Sequence, residues 1–160
     1  MPEITRKYSP PHGISRLLFR SPIWLFELGL GWIFGGRLLL LNHIGRNTGQ
    51  KRQVVLEVAQ HDKQTDTIIV NVGYGKRSDW YQNIEKNPDV SIMVGRRTIH
   101  ARAEVLSPAD GGEIMVTFSK EHPLEARMSS MLGYKVDGTE EDFRALGEKL
   151  LYVRFVPRSE

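Results

Sequence analysis

The stretch from Gly45 to Arg52 has the residue types most suited to holding an anion. Its two glycines allow backbone amides to converge on a negative group, and its arginines carry planar guanidinium forks that match phosphate geometry. The spacing is not that of a P-loop, because no Gly-Lys-Ser/Thr follows a four-residue gap. The stretch predicts an anion site, with an ordinary surface turn as the alternative. Its candidate ligands are Arg46, Asn47, Thr48, Gly49, Lys51 and Arg52.

A second glycine-rich stretch carries two further cations and leads into a predicted helix that begins at Ser78. A helix N-terminus beside flexible glycines favours a phosphate or a ring carbonyl. The third glycine of a dinucleotide-binding turn is absent. Trp80 and Ile84 are expected to hold this helix against the protein core. The candidate ligands of this stretch are Gly73, Tyr74, Gly75, Lys76, Arg77, Ser78, Asp79 and Trp80.

Other kinds of catalytic site lack support in the sequence. The chain has no cysteine, which excludes thiolate metal sites and cysteine nucleophiles. Its histidines are scattered without metal-ligand spacing, so no metal site is expected. No serine sits in a nucleophile elbow. Tyr134 follows Gly133 in a predicted loop, where it could close over a bound ring or simply lie at the surface.

The charge pattern favours a small anionic ligand over a long polyanion. The net charge is only +3, yet no acidic residue occurs from Leu28 to Leu56, where Arg46, Lys51 and Arg52 lie. Such local basicity suits a discrete anion. Arg97 and Arg102 have no interleaved aromatic residues, so no nucleic-acid partner is expected.

An apolar run from Ile23 to Phe34 stands out near the N-terminus. It is interrupted by Glu27, Gly29 and Gly31, and it is shorter than the ~20 apolar residues that span a bilayer. A buried helix is the favoured interpretation. The alternative is peripheral membrane contact through residues 14–34, since arginines precede the run and tryptophans lie within it. No secretory signal is visible, so the expected location is cytoplasmic, including the inner face of the membrane.

The elements around these motifs predict one mainly β domain of the α+β class across residues 1–160. Short turns at Gly45–Gln50 and Gly95–Arg96 indicate antiparallel hairpins, and about six strands with peripheral helices indicate a largely antiparallel barrel. The predicted parts are an N-terminal arm and apolar helix (1–35), barrel strands with ligand loops (36–106), a helical region (107–149), and a last strand and tail (150–160). The predicted strands are Arg37–Ile44, Gln53–Ala59, Thr67–Val72, Val90–Val94, Thr98–Val105 and Leu151–Val156.

Together, the two motifs resemble the deazaflavin-dependent nitroreductase family. The resemblance lies in Gly-Arg-x-Thr-Gly-x-x-Arg after an apolar strand, then a glycine-rich loop, Asp-Trp-Tyr-x-Asn and Asn-Pro. It covers residues 36–106 well and implies a six-stranded split β-barrel. It also implies coenzyme F420 and an oxidoreductase that passes a hydride to an organic acceptor such as a quinone, a nitro compound or an activated alkene. Split barrels in related families commonly form dimers, so a homodimer is a further expectation.

The resemblance also implies roles for single residues. Arg46, Lys51 and Arg52 would contact the phosphodiester and glutamyl tail of the coenzyme, and residues 73–78 would hold the tail or the deazaflavin ring. Asp79 to Asn83 would support that loop. Many relatives carry Lys in place of Asn47, a contact for which Lys51 or Lys76 could compensate. The expected proton donors are Tyr134 and Tyr74, or solvent in their place; the alternatives to F420 chemistry are an FMN-dependent reductase and a non-catalytic ligand-binding barrel.

Overall fold

A closed six-stranded barrel forms the centre of the protein. The computed structural model describes residues 3–4, 23–73, 75–127, 134–135 and 137–159. The strands are β1 (Glu3–Ile4), β2 (Leu38–Ile44), β3 (Lys51–Asp62), β4 (Thr67–Asn71), β5 (Asp89–Val94), β6 (Arg97–Val105), β7 (Tyr134–Lys135) and β8 (Tyr152–Pro157). The α-helices are α1 (Ile23–Glu27), α2 (Asp79–Lys86), α3 (Pro108–Glu121), α4 (Pro123–Arg127) and α5 (Glu140–Lys149); Gly31–Phe34 and Gly75–Arg77 form 3-10 helices.

The barrel closes in the order β2-β3-β4-β8-β6-β5, and every neighbouring pair is antiparallel. The predicted six-stranded antiparallel barrel is therefore confirmed, and both predicted hairpins join the strands expected. β1 pairs only with β7, as a separate two-stranded sheet. Five of the six barrel strands lie within the predicted range 36–106, and β8 supplies the sixth.

Alternating apolar side chains fill the barrel, because successive residues of a strand face opposite sides. The largest fully buried side chains inside it include Leu39, Leu41, Ile68, Ile92 and Phe155. In β6 the alternation buries Ala101 and Ala103 but stops at the end of the strand, where Val105 is exposed. This end of β6 pairs with β8 at Val153 and then leads out to α3.

Helix α2 lies against the barrel through its apolar face. Trp80, Tyr81 and Ile84 belong to the same buried cluster as the barrel strands, which confirms the positioning role expected of Trp80 and Ile84. Ser78 occupies the predicted N-cap position, but its side chain makes no capping hydrogen bond. The hydroxyl is instead buried and unpartnered among the described residues.

The apolar run from Ile23 to Phe34 is not one buried helix, so the favoured interpretation was wrong. It forms α1 and a 3-10 helix, separated at Gly29 by a backbone φ of +76°, which favours glycine. Of its large side chains only Phe26 is fully buried; Trp24, Leu28, Trp32 and Ile33 are 48–67% exposed. In the ranges given above, no helix combines the length and apolar character needed to span a membrane.

Helices α3 and α5 pack closely on each other beside the barrel. Each is preceded by a residue whose hydroxyl accepts the backbone N–H three residues on, Ser107 from Asp110 and Thr139 from Asp142, as N-cap residues do. The helices approach most closely at Gly111 and Gly147.

Candidate functional site

The first predicted motif forms the turn between β2 and β3, and its glycines are required by its shape. Gly45 donates its N–H to Gln50 O at 2.8 Å, and Gly49 donates to Gly45 O at 2.9 Å. A Cβ on Gly45 would lie 2.6 Å from Thr48 Oγ1, and Gly49 has a φ of +68°. Thr48 Oγ1 also accepts the Gln50 N–H at 3.2 Å. The turn is thus a defined structure that presents the cations at the start of β3.

Arg46 ties this turn to helix α2. Asn83 Oδ1 accepts two hydrogen bonds from Arg46, one from the backbone N at 3.0 Å and one from Nη1 at 2.8 Å. The guanidinium also bonds the Asp79 carbonyl at 3.4 Å and its carboxylate at 3.3 Å, and Lys86 Nζ donates to Arg46 O at 2.8 Å. The Arg46 side chain is 27% exposed. The structure therefore directs this arginine mainly to the protein itself.

His43 lies directly behind this contact, at the end of β2. Its Nδ1 is 3.0 Å from Asn83 Nδ2, and the residue is only 4% exposed. Burial lowers the pKa of His43 to about 4, with a further lowering by the positive charge of Arg52 that Asp79 partly opposes. The imidazole is therefore neutral near pH 7.

The second predicted motif forms the approach to α2. Gly75 has a φ of +65°, donates its N–H to Val72 O at 2.9 Å, and accepts from Ser78 N at 3.1 Å. Gln82 Nε2 holds the same loop by donating to Lys76 O at 3.0 Å. Because Arg46 reaches Asp79 and Asn83 of α2, the two glycine-containing loops meet at this helix.

Four cationic side chains of these loops have no such internal partner. Lys51, Arg52, Lys76 and Arg77 are exposed. Their side chains form no hydrogen bond or ion pair with another described residue, in contrast with Arg46, Arg97, Arg144 and Arg154. Cations left unpaired beside N–H-rich turns are suited to bind an anion from solution.

Several predicted site residues lie elsewhere or outside the described residues. Tyr74 is outside them. Tyr134 has a described backbone, paired with Ile4 between β7 and β1, but its side chain is outside the description. Asn47 is exposed on the turn. Trp80 is 7% exposed and packs in the barrel core, so it positions α2.

Sequence reasoning missed His43 and gave Asn83 only a supporting role. His43 looked like one of several scattered histidines, and nothing local links it to an asparagine forty residues later. The Asn of the Asp-Trp-Tyr-x-Asn motif was the only signal for this contact. Among the described residues no group of three or more His, Asp and Glu side chains is arranged to hold a metal ion.

Solved structures share this fold at low sequence identity. An F420-H2 dependent reductase (FDR-A) superposes with a TM-score of 0.50 at 19% identity, covering 74% of this chain and 93% of that protein. A pyridoxamine 5'-phosphate oxidase-related, FMN binding protein from Nostoc punctiforme gives a TM-score of 0.51 at 15% identity, covering 91% and 83%. At these identities the likeness establishes the barrel fold only.

Sequence comparison gives the family. An F420H(2)-dependent quinone reductase of Mycobacterium tuberculosis is 37% identical over 73 residues, which cover 45% of this chain and 48% of that protein. The chain thus spans about half the length of the mycobacterial relatives that it matches. The family model for F420H(2)-dependent quinone reductase matches residues 27–125, a range that contains both loops and five barrel strands. The predicted relationship to deazaflavin-dependent reductases is confirmed: the chain belongs to the F420H(2)-dependent quinone reductase family.

Proposed function

We propose that this protein binds coenzyme F420 and transfers a hydride from its reduced form to an organic acceptor, with quinones as the first candidates. The observation that carries the proposal is four cations, at two loops that meet at α2, whose side chains bond no other described residue. Lys51 and Arg52 begin β3 where the first loop ends, and Lys76 and Arg77 lie in the 3-10 helix of the second loop. Membership of the family and the fold support the same assignment.

The residues present fit an anionic, tail-bearing coenzyme. A phosphodiester and glutamyl carboxylates need cations and N–H donors, which both loops offer. Ser78 Oγ is buried and lacks a partner among the described residues, at the N-terminus of an eight-residue helix. A buried hydroxyl without a partner is costly, and a ligand oxygen at this helix end would satisfy it.

We propose different roles for the residues of the site. Lys51, Arg52, Lys76 and Arg77 would bind the tail, while Arg46 holds the first loop in place. When bound, the reduced coenzyme supplies the hydride, so neither a metal nor a nucleophile is required of the protein. The protein orients the donor against the acceptor and keeps water out. The accompanying proton would come from the Tyr74 or Tyr134 hydroxyl or from water.

A steady-state assay tests the function. Purified protein is mixed with reduced F420 and a soluble quinone, and the return of the oxidised coenzyme's fluorescence is followed. We expect turnover by the native chain and a rise of at least about tenfold in the KM for reduced F420 in Arg52→Gln/Arg77→Gln, since each lost charged hydrogen bond costs about 1.5 kcal/mol or more.

The matched control is Arg102→Gln, which removes an exposed arginine on β6 outside both loops. Its KM should stay within twofold of that of the native protein. Equal effects of the double variant and the control, or no turnover with quinones, nitro compounds and activated alkenes alike, would contradict the proposal.

We further propose that an apolar patch formed by Trp24, Leu28, Trp32 and Ile33 contacts a membrane surface. All four side chains are about half exposed or more, and the Arg96 guanidinium lies 5.3 Å from the Trp32 ring centroid. Tryptophan and arginine side by side suit the lipid interface. The homodimer and the cytoplasmic location stay predictions.

Flotation with anionic liposomes tests the patch. The native protein should float and Leu28→Ser/Ile33→Ser should not, while Leu124→Ser, which changes an exposed leucine of α4, should behave as the native chain. A double variant that still floats, or one that instead dissociates a native dimer in sedimentation, would assign the patch another role.

A further inference from the structure

We infer that His43 and Asn83 form a positioning pair that sets the shape of the coenzyme-binding turn through Arg46. This inference rests on the proposed function and adds to it a role for two residues that do not touch the coenzyme. The pair joins all three parts of the site, because His43 ends β2, Arg46 lies in the turn and Asn83 lies on α2.

Hydrogen-bond chemistry fixes the orientation of the Asn83 amide. Arg46 offers only N–H donors to it, the backbone N at 3.0 Å and Nη1 at 2.8 Å, so the amide oxygen must face Arg46. The amide nitrogen therefore faces His43 Nδ1 at 3.0 Å. An amide nitrogen only donates, and His43 Nδ1 must accept with its lone pair.

This requirement selects one form of His43. The imidazole must be neutral, with its proton on Nε2. Burial and the nearby Arg52 both favour the neutral ring. If His43 instead donated from Nδ1, the amide would have to turn over and point its N–H groups at those of Arg46. By accepting the amide N–H, the neutral ring holds the Asn83 side chain with its oxygen toward the turn.

The turn depends on that oxygen. Among the described residues, the backbone N–H of Arg46 has one partner, Asn83 Oδ1, and Lys86 Nζ donates to the Arg46 carbonyl. Loss of the amide orientation would release the backbone of Arg46 in the turn that leads, five positions later, to Lys51 and then Arg52. We therefore expect weaker binding of the coenzyme's tail and no change in the binding of its deazaflavin ring.

The test compares two ligands by fluorescence titration: intact F420 and the deazaflavin fragment that lacks the phosphodiester and glutamyl tail. His43→Leu, an apolar side chain of similar size, should weaken F420 binding about tenfold, as expected for a lost buried hydrogen bond. Fragment binding should change less than twofold. His43→Gln, whose Oε1 can accept from Asn83 Nδ2, should restore F420 affinity to within about threefold of the native value.

Two further readouts separate positioning from a general loss of structure. The His43 ring nitrogens, observed by 15N NMR in the native protein, should show a neutral ring protonated on Nε2. With reduced F420 saturating, the kcat of His43→Leu should stay within threefold of that of the native protein. A ring protonated on Nδ1, or parallel losses of F420 and fragment affinity, would overturn the inference.

The outcomes also distinguish this inference from the proposed function. If the native protein binds no F420, the proposed function fails. If the native protein binds F420 and His43→Leu binds it equally well, the function stands and the positioning pair is wrong. Asn83→Leu should weaken F420 binding at least as much as His43→Leu, because it removes the amide itself and both of its bonds to Arg46, whereas His43→Leu removes only the acceptor of the amide N–H.

Discussion

At the scale of single residues, the site depends on which donors and acceptors are already used inside the protein. Arg46 and Arg52 are six positions apart in one basic stretch, yet Arg46 bonds Asn83 and Asp79 whereas Arg52 bonds no described residue. A guanidinium committed to internal acceptors is a poor ligand for an incoming anion, because binding would cost those bonds. We therefore propose that Arg46 holds the first loop in place and that Arg52 binds the anion.

The buried imidazole of His43 predicts a pH dependence of stability. Its pKa falls from about 6.5 when unfolded to about 4 when folded, so the unfolded chain binds the extra proton between these values. Stability should therefore fall as the pH is lowered from about 6.5 to about 4. Thermal unfolding across this range should show the decline in the native protein and a smaller one in His43→Gln; identical profiles would contradict it.

A second decline should occur at lower pH and through a different residue. The hydrogen bonds from Arg97, and then from His61, lower the pKa of Asp66 from 3.8 to about 2. This carboxylate stabilises the fold above pH 3.8, and its contribution is lost as the pH falls through about 2. Acid unfolding of Asp66→Asn should lack this step while keeping the His43 step. Loss of both steps would mean that the two groups are not independent.

At the scale of elements, the local residue pattern predicted the positions of strands and helices. It did not predict side-chain burial and hydrogen bonds, which depend on residues far away in the sequence. The alternation of Ile68 and Val70, or of Val90 and Ile92, was sufficient to place strands. The apolar run near the N-terminus was misread because its burial depends on packing, which leaves Trp24 and Trp32 exposed. Likewise, Ser78 was placed correctly as an N-cap, but only the three-dimensional structure shows that its hydroxyl makes no cap bond.

The contact between α3 and α5 offers a sharp test of packing. A Cβ on Gly147 would meet Gly111 O and would lie 2.6 Å from Met115 Cβ. Gly147→Ala should overpack this crossing by about 1–3 kcal/mol, which lowers the Tm by about 3–10 °C in a chain of this size. Gly73→Ala, where a Cβ meets nothing within 4 Å, is the control. A Tm for Gly147→Ala equal to that of the control would show that the helices part easily.

At the scale of the whole molecule, the two proposed surfaces lie at opposite ends of β2. Three residues separate the start of this strand from the 3-10 helix that carries Trp32 and Ile33, and the strand ends at the turn that carries Arg46. Docking through the apolar patch would therefore leave the coenzyme loops facing away from lipid. F420 affinity should change less than twofold when anionic liposomes are added at low salt. A large loss would mean that lipid headgroups compete for the same cations.

The cluster of cations was readable from this sequence because the glycine-rich loops and their basic residues are close together along the chain. The sequence did not show which of these cations bond the protein itself, because Arg46 and its partner Asn83 are 37 positions apart. Only the closed barrel brings β2 and α2 together. The proton donor stays a prediction, because the side chains of Tyr74 and Tyr134 lie outside the described part of the chain.

The most direct measurement is a calorimetric titration of the native protein with oxidised F420, the tailless deazaflavin fragment and FMN in parallel. F420 should bind with about micromolar or better affinity, at least about tenfold more tightly than the fragment, and rising salt should weaken the binding of F420 but not that of the uncharged fragment, since tail contacts are ionic. The Arg52→Gln/Arg77→Gln variant should bind F420 at least about tenfold more weakly than the native protein, while its affinity for the fragment changes less than about twofold. Tighter binding of FMN, or F420 affinity that neither salt nor those substitutions change, would contradict the account.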